Sequence, residues 1–202
     1  MPNSPPVCAI ILSAGESRRM GQQKLLLPYG GKPVIRYVFD QIVTGGVTRT
    51  IVVTGFDHER IIDALADTPA EFSRNIDFAR GMLSSVRHGI RYVGDDSAGY
   101  LIALGDQPSI SSFVVHRALA AFANSPDAIV VPSHDGRQGH PIIIPACFRE
   151  HILTKYDDIG LRGLLRAHAD GINYLDIDND AVLRDIDFPE DYARELELLG
   201  RN

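Results

Sequence analysis

Short apolar runs alternate along the chain with longer segments in which apolar residues recur at helical spacing. The runs predict strands, because a strand that is buried on both faces of a sheet is apolar throughout. The predicted strands cover residues 7–12, 50–54, 75–78, 100–104, 128–131, 141–144 and 172–177. Strands that alternate with helices in this way predict βαβ units and a mostly parallel sheet.

The helical segments begin and end at residues that commonly bound helices. Pro33 stands where the first helix begins and Gly45 just after its end, and Asp57 is a candidate N-cap of the second. Ser111 or Ser112 is the corresponding candidate for the fourth. In the third helix Met82, Val86, Ile90 and Val93 share one face. The predicted helices cover residues 33–44, 57–65, 82–93, 111–122, 160–168 and 189–199.

The fold class that follows is α/β, with one doubly wound, mixed but mostly parallel sheet. A chain of 202 residues suits a single domain over residues 1–202, and we expect the polar, Pro-rich residues 1–6 to form a disordered N-terminal extension. In such sheets ligands bind beyond the carboxyl ends of the strands. The loops that follow the predicted strands are therefore where chemistry is expected.

Composition narrows the classes of partner. The net charge is -6, whereas proteins that bind nucleic acid usually carry a basic excess, so we expect no nucleic-acid partner. The apolar runs are too short to span a bilayer and no signal peptide is evident, which predicts a cytoplasmic protein without a membrane partner. Cys8 and Cys147 lie in apolar runs and are expected to be buried free thiols.

The segment that follows the first predicted strand combines small residues with cations. Ser13, Ala14 and Gly15 let the backbone curl so that its N–H groups can face an anion, and Arg19 and Lys24 supply positive charge nearby. Both features suit a triphosphate. The spacing of a P-loop and the Gly-x-Gly-x-x-Gly of a dinucleotide fold are absent. The alternative interpretation is a surface loop with solvated charges.

The sequence L-S-A-G-E-S-R-R-M-G-Q-Q-K-L-L-L-P closely resembles the signature of the molybdenum cofactor nucleotidyltransferases. The resemblance implies a Rossmann-like nucleotidyltransferase fold. It also implies that Arg19 and Lys24 hold the triphosphate as catalytic residues and that Ser13, Ala14 and Gly15 lie beside the nucleotide. Other motifs of the same family follow in its order along nearly the whole chain.

Two aspartates are candidate ligands of Mg²⁺, which prefers carboxylates together with substrate phosphates. Asp106, in L-G-D-Q-P, follows a predicted strand, although the same sequence also suits a plain turn. Asp187, in D-I-D-F-P-E-D, could equally cap the last helix. The resemblance assigns Asp187 as the second metal carboxylate, with Phe188 where the family often has Thr. Asp185 is a possible substitute ligand.

Three further segments resemble family motifs. Ser84 and Ser85, in R-G-M-L-S-S, correspond to a segment that lines the nucleoside pocket, although first-turn serines also satisfy a helix start. His140, in G-H-P, and Arg162, in D-D-I-G-L-R, correspond to the acceptor side. Asp157 replaces the first Gly of the latter motif, so the shape of that loop differs from the family pattern.

The expected activity is Mg²⁺-dependent transfer of CMP from CTP to molybdopterin-bound molybdenum cofactor, with release of pyrophosphate. The resemblance implies an NTP, a phosphorylated acceptor and a molybdoenzyme or its chaperone as partners. The alternatives are a guanylyltransferase or sugar-phosphate nucleotidyltransferase of the same fold and a non-catalytic carrier of the nucleotide or of molybdopterin. The sequence leaves the oligomeric state open.

Overall fold

The computed structural model describes residues 6–200, which form one central sheet with helices on both faces and a small two-stranded sheet. The strands of the chain are β1 (Val7–Ser13), β2 (Pro28–Tyr29), β3 (Lys32–Pro33), β4 (Arg49–Thr54), β5 (Glu71–Arg74), β6 (Gly99–Leu104), β7 (Ile129–His134), β8 (Arg137–Gln138), β9 (Ile142–Pro145) and β10 (Ile172–Asp176). The helices are α1 (Val34–Thr44), α2 (His58–Asp63), α3 (Met82–Val93), α4 (Ser112–Asn124), α5 (Arg149–Thr154), α6 (Leu161–Ala167) and α7 (Pro189–Leu199).

The large sheet has the strand order β10-β7-β9-β6-β1-β4-β5, and β8 pairs with β7. Strand β9 is antiparallel to both β6 and β7, and the short β8 is antiparallel to β7, whereas the other pairs are parallel. The mixed, mostly parallel sheet predicted from the sequence is therefore confirmed. The chain runs from β1 to β4 and β5 on one side and then crosses to β6 on the other, so a topological switch point lies at β1 and β6.

Alternate residues of β1 pack into two apolar layers, one on each face of the sheet. Ala9 and Ile11 face the layer that contains apolar residues of α1 and α4. Cys8 and Ile10 face the layer that contains residues of α3, α5 and α6. All four residues are at most 1% exposed, which explains why β1 is apolar without alternation. This packing fixes the carboxyl end of β1, where the candidate phosphate loop begins.

The third βα unit differs from its prediction. The strand is Glu71–Arg74, and residues 75–78, which we predicted as the strand, form the connection to α3. Within α3 the buried face begins at Leu83, whereas Met82 is 54% exposed. Met82 and Leu83 both fit a helical repeat with Val86 and Ile90, so the sequence pattern does not choose between them. Their side chains point about 100° apart around the helix, and only Leu83 faces the core. Met82 instead lies at the mouth of a cleft.

Asp57 and Ser111 stand at the predicted N-cap positions, but neither side chain makes a capping hydrogen bond. Asp57 has a left-handed backbone conformation (φ 54°) and makes no side-chain cap to α2. The side chain of Ser111 also makes no cap to α4, and the amide of Ser112 instead donates a hydrogen bond of 2.8 Å to Gln41 Oε1 on α1. The start of α4 is thus satisfied by a residue that lies 71 positions away in the sequence.

The remaining expectations concern the thiols, the chain ends and the membrane. Cys8 is buried as predicted, but Cys147 is exposed in a short 3-10 turn. Residues 1–5 of the expected N-terminal extension lie outside the described residues. The carbonyl of Pro6 accepts hydrogen bonds from the Ser97 hydroxyl (3.0 Å) and the Ala98 amide (3.3 Å). Within residues 6–200, no helix has the length and apolar character needed to cross a membrane.

Candidate active site

A cleft opens at the switch point, beyond the carboxyl ends of β1 and β6. Its volume is about 500 Å³. Its walls are formed by four parts of the chain, which are the segment after β1, the start of α3, the end of β6 and the loop before α7. The described residues that line it are Leu12, Ser13, Ala14, Gly15, Glu16, Ser17, Arg18, Arg19, Lys24, Leu25, Phe78, Gly81, Met82, Ser85, Leu104, Asp106, Asp185 and Asp187.

The loop after β1 is shaped by a buried amide side chain that the sequence analysis missed. Gln23 is 7% exposed; its Oε1 accepts a hydrogen bond of 2.8 Å from the Ser17 hydroxyl, and its Nε2 donates one of 3.3 Å to the Gly15 carbonyl. Ser17 itself has a left-handed backbone (φ 55°). The Gln23 amide therefore holds the loop closed on itself, which carries Lys24, the next residue, into the cleft. The sequence gives no signal for this role, because it depends on hydrogen bonds that form only in the folded loop.

Gly105 brings the ends of β1 and β6 close together and so places Asp106. A Cβ at this position would lie 2.8 Å from Ser13 Oγ and 3.1 Å from the Leu12 carbonyl oxygen, closer than real Cβ contacts allow. The buried Ser13 hydroxyl has no hydrogen-bond partner within the described part of the chain. Only glycine permits this approach of the two strand ends, and Asp106 follows it directly.

Lys24 lies between the two aspartates that the sequence analysis paired. Its Nζ is 2.5 Å from Asp106 Oδ2 and 3.0 Å from Asp187 Oδ1. Arg19 forms an ion pair with the other carboxylate oxygen of Asp187. The side chain of Lys24 is 13% exposed and those of Asp106 and Asp187 are 18% and 31% exposed. Four predicted site residues, distant in sequence, thus form one chain of opposite charges.

Burial and charge act against each other on the ionisable groups of this cluster. Burial alone would lower the pKa of Lys24, but the neighbouring carboxylates of Asp106 and Asp187 raise it above its ordinary value. Burial would raise the pKa of Asp187, but Lys24 and then Arg19 lower it. Asp185 has a raised pKa, first because of burial and then because of repulsion from Asp106 and Asp187. The cleft thus concentrates negative charge around one ammonium group.

The donor set fits a divalent cation. Asp106 and Asp187 converge on a common point, at which the ammonium of Lys24 now lies. Carboxylate oxygens are hard ligands, and Mg²⁺ is commonly bound by one or two carboxylates together with substrate phosphates. No group of three or more Asp, Glu, His or Cys side chains forms a ready-made metal site within residues 6–200. A cation bound here would therefore take its remaining ligands from substrate or water.

The two serines of α3 are held by a neighbouring amide. Asn75 Nδ2 donates hydrogen bonds of 2.9 Å to Ser84 Oγ and 3.0 Å to Ser85 Oγ. Ser84 Oγ in turn lies 2.8 Å from the carbonyl of Gly81, its acceptor. Ser85 lines the cleft, but Ser84 is not among the described residues that do so. For Ser84 the contacts match the alternative interpretation, in which the hydroxyl satisfies the start of the helix.

The two predicted acceptor residues do not line this cleft. Burial lowers the pKa of His140 to about 4, against a smaller opposing effect of Asp106, so the imidazole is neutral near pH 7. The amide of His140 donates a hydrogen bond of 3.0 Å to the Val182 carbonyl. Arg162 is exposed on α6 and is not among the described residues around the cleft. Their roles at the acceptor stay predictions.

The chain is similar over almost its whole length to proteins with different names. It is 28% identical to molybdenum cofactor cytidylyltransferase of Escherichia coli (strain K12), over 93% of this chain and 94% of the relative. It is also 28% identical to nicotine blue oxidoreductase of Paenarthrobacter nicotinovorans, over 95% of this chain and 97% of the relative. Equal identity means that these two comparisons do not distinguish between the two named activities.

Solved structures agree with the fold. A nucleotidyl transferase from Methanothermobacter thermautotroptrophicus superposes with a TM-score of 0.84 at 24% identity, over 97% of this chain and 98% of that chain. Rv0371c of Mycobacterium tuberculosis H37Rv, solved in complex with manganese, gives 0.80 at 24% identity, over 95% and 98%. The sequence model of the MobA-like NTP transferase domain matches residues 9–172. The chain therefore belongs to the MobA-like NTP transferase family.

Proposed function

We propose that the protein transfers CMP from CTP to the terminal phosphate of a molybdopterin-type acceptor in a Mg²⁺-dependent reaction that releases pyrophosphate. The observation that carries the proposal is the contact of Lys24 with both Asp106 and Asp187, 2.5 Å and 3.0 Å from its Nζ. A cationic side chain and a pair of metal-competent carboxylates at one point suit a metal–triphosphate complex. The name of the Escherichia coli relative supports the choice of acceptor and base.

In the proposed reaction, an oxygen of the acceptor phosphate forms a new bond to the α-phosphorus of CTP. The bond from that phosphorus to the bridging oxygen of the β-phosphate breaks, and pyrophosphate leaves with the electron pair. Arg19 and Lys24 lie where they can neutralise the charge that develops on the leaving group. Arg can contact two phosphate oxygens at once, whereas Lys supplies a compact charge.

No general base is needed in this scheme. A phosphate monoester has its second pKa near 6, so the attacking oxygen is already ionised at neutral pH. His140 is neutral there, since its pKa is lowered to about 4, and it carries no proton that the reaction must move. The contribution of this chain is therefore to position two anions and to stabilise charge.

Asp106 and Asp187 would hold the metal ion, with Asp185 next to them at the edge of the cleft. A divalent cation there supplies charge neutralisation and orientation of the phosphate oxygens. The role of the chain's own residues is to aim both carboxylates at one point and to keep Asp187 ionised. The lowered pKa of Asp187 supports that role.

The wall beside Ala14 supports a pyrimidine. Ala14 is 6% exposed and lines the cleft, and its carbonyl accepts a hydrogen bond of 3.1 Å from the Phe56 amide. A Cβ at Gly55 would lie 2.8 Å from the Ala14 Cβ and 2.7 Å from Phe78. The methyl group of Ala14 therefore lies close to Gly55, in a tightly packed part of the wall, and we propose that it leaves less space for a purine. Such exclusion gives discrimination of about 1–3 kcal/mol.

The carboxylate pair and the loop after β1 disfavour two of the other candidates. A non-catalytic carrier has no need of two carboxylates that converge on a cation. A nicotinamide-dependent oxidoreductase would be expected to show a dinucleotide fingerprint, which the loop after β1 lacks. Guanylyl transfer and a sugar-phosphate acceptor use the same chemistry, and they differ from the proposal only in the base and the acceptor.

The test is a pyrophosphate-release assay with CTP, GTP, ATP and UTP, each with and without molybdopterin and with Mg²⁺ or a chelator. We expect release with CTP that requires both molybdopterin and Mg²⁺. A preference for GTP would change the assigned base from cytosine to guanine, and the proposed class of reaction would still hold. Absence of release with all four nucleotides in the presence of molybdopterin and Mg²⁺ would refute transferase activity on this acceptor.

A further inference from the structure

A nearly buried ion pair joins the loop before α7 to α7 itself, outside the cleft. Arg184 Nε donates a hydrogen bond of 2.6 Å to Glu195 Oε1. The side chain of Glu195 is 2% exposed and that of Arg184 is 16% exposed. Neither residue is among the described residues that line the cleft. Burial of two charges is costly, so the pair is not explained by stability alone.

The same pair also holds the loop after β6. Arg184 Nη2 donates a hydrogen bond of 2.6 Å to Ser109 Oγ, and the Ser109 hydroxyl donates to the second oxygen of Glu195. Arg184, Glu195 and Ser109 thus close a triangle of hydrogen bonds that connects three segments of the chain. We call this triangle the clamp.

Two residues of the clamp lie close in sequence to the two candidate metal ligands, Asp106 and Asp187. Ser109 lies three residues after Asp106, and Arg184 lies three residues before Asp187. Between them the Ile186 amide donates a hydrogen bond of 3.0 Å to the Asp106 carbonyl. The clamp and this backbone hydrogen bond therefore fix the two acidic loops relative to each other at two separate points.

The acidic loops need such a restraint because their side chains repel one another. Asp106, Asp185 and Asp187 all line the same cleft. Like charges in a partly desolvated site tend to separate, and a flexible pair of loops would relax by moving apart. Metal affinity depends on holding the ligands at a fixed spacing, and residues outside the ligand set commonly do this.

We propose that the Arg184–Glu195–Ser109 clamp is a positioning device that sets the spacing of Asp106 and Asp187 for the metal ion. The inference rests on the proposed function only in taking these two aspartates as the metal pair. Arg184 and Glu195 are positioning residues in this account, since they act through the loops and touch no substrate. The consequence is that loss of the clamp weakens metal binding without removing a ligand.

The test replaces both charges at once, with Arg184→Met and Glu195→Met in one chain. A buried ion pair can be exchanged for apolar residues with little loss of stability, so this variant is expected to fold. The matched control is Arg49→Met with Glu71→Met, which removes the bidentate ion pair (2.8 Å and 3.1 Å) between the first residues of β4 and β5, away from the cleft. Glu195→Gln, which keeps hydrogen bonding to Ser109, is the milder second variant.

Two readouts are compared, Mn²⁺ binding to the protein without nucleotide by electron paramagnetic resonance and the Mg²⁺ concentration for half-maximal pyrophosphate release. We expect both constants to rise at least tenfold in the double variant and less in Glu195→Gln. We expect kcat at saturating Mg²⁺ to recover, and the control to match wild type. The proposed role of the clamp would be refuted if the folded double variant bound Mn²⁺ with wild-type affinity. It would also be refuted if the control variant lost as much Mn²⁺ affinity as the double variant.

Failure of the proposed function gives a different result. If wild type releases no pyrophosphate with any nucleotide, the transferase proposal fails, but the comparison of Mn²⁺ affinities still decides the clamp. If wild type binds no Mn²⁺ at millimolar concentration, either alone or with CTP, the aspartates are not a metal pair and the proposed role of the clamp is refuted as well. Should the double variant fail to fold, the Glu195→Gln affinity decides in the same way.

Discussion

Replacement of Lys24 with Ala should destabilise the protein in the absence of metal and make it respond more strongly to Mg²⁺. The ammonium group lies 2.5 Å from Asp106 and 3.0 Å from Asp187, and its loss leaves two partly buried carboxylates facing each other. An ion pair at 4 Å contributes about 4 kcal/mol at an effective dielectric constant of 20. Desolvation and partial exposure offset most of this, so we expect a net loss of about 2 kcal/mol.

The assay is thermal unfolding with and without Mg²⁺. A loss of about 2 kcal/mol corresponds to roughly 4–8 °C in Tm for a chain of this size. In the variant, Mg²⁺ can enter the position that the ammonium occupied, and at a hundredfold excess over Kd it would restore about 2.7 kcal/mol. Wild type should gain less from Mg²⁺ alone, because Lys24 competes for the same two carboxylates. Affinity for CTP should fall in the variant, since a triphosphate contact is lost.

Lys32→Ala is the matched control. Lys32 also bridges to an aspartate, with its Nζ 2.6 Å from Asp40 Oδ2, but that pair lies outside the cleft and Arg36 also contacts Asp40. Its Tm should be nearly independent of Mg²⁺. The reasoning is refuted if Mg²⁺ stabilises Lys24→Ala no more than it stabilises wild type and Lys32→Ala.

Three further outcomes test the site. Asp106→Asn should lower turnover on the order of 10²–10³-fold, read from pyrophosphate release at saturating Mg²⁺, because the charge that binds the metal is lost. The ratio of kcat/KM for CTP over GTP should be about 5–150, the range that corresponds to 1–3 kcal/mol, and equal values would contradict the role of Ala14. His140 has a folded pKa of about 4, below its unfolded value of 6.5. Stability should therefore be complete above pH 6.5 and fall as the pH decreases towards 4. His140→Gln should lose less stability over that window in urea titrations.

The parts of the site that lie within one stretch of sequence were predictable. The loop after β1 carries its small residues and three cationic residues within twelve positions, so pattern and resemblance together predicted Arg19 and Lys24 as site residues. The structure brings these two side chains onto Asp187, a contact that neither the pattern nor the resemblance predicted. The carboxyl end of β6 was predictable for the same local reason, because an apolar strand runs directly into Gly105 and Asp106.

The parts that depend on contacts distant in sequence were not predictable. Gln23 shows no pattern that marks it as the organiser of the loop, since its effect comes from hydrogen bonds to Gly15 and Ser17. Glu195 looks like any exposed residue of an acidic helix, yet it is 2% exposed because Arg184 and Ser109 face it. The short α5 was missed because six residues with one buried side chain, Ile152, give no measurable periodicity.

The charge pattern of the cleft bears on how substrate and metal arrive. Glu16, Asp106, Asp185 and Asp187 contribute four carboxyl groups to the cleft, and Arg18, Arg19 and Lys24 contribute three cations. A bare triphosphate would meet this acidic site at an electrostatic cost, and a bare metal ion would have to displace Lys24 from both aspartates. A metal–triphosphate complex removes both difficulties, because its phosphates attract Lys24 while its cation takes the position between the carboxylates. We therefore expect CTP and Mg²⁺ to bind with positive coupling, and Lys24→Ala should reduce that coupling, since each ligand then binds without moving the ammonium.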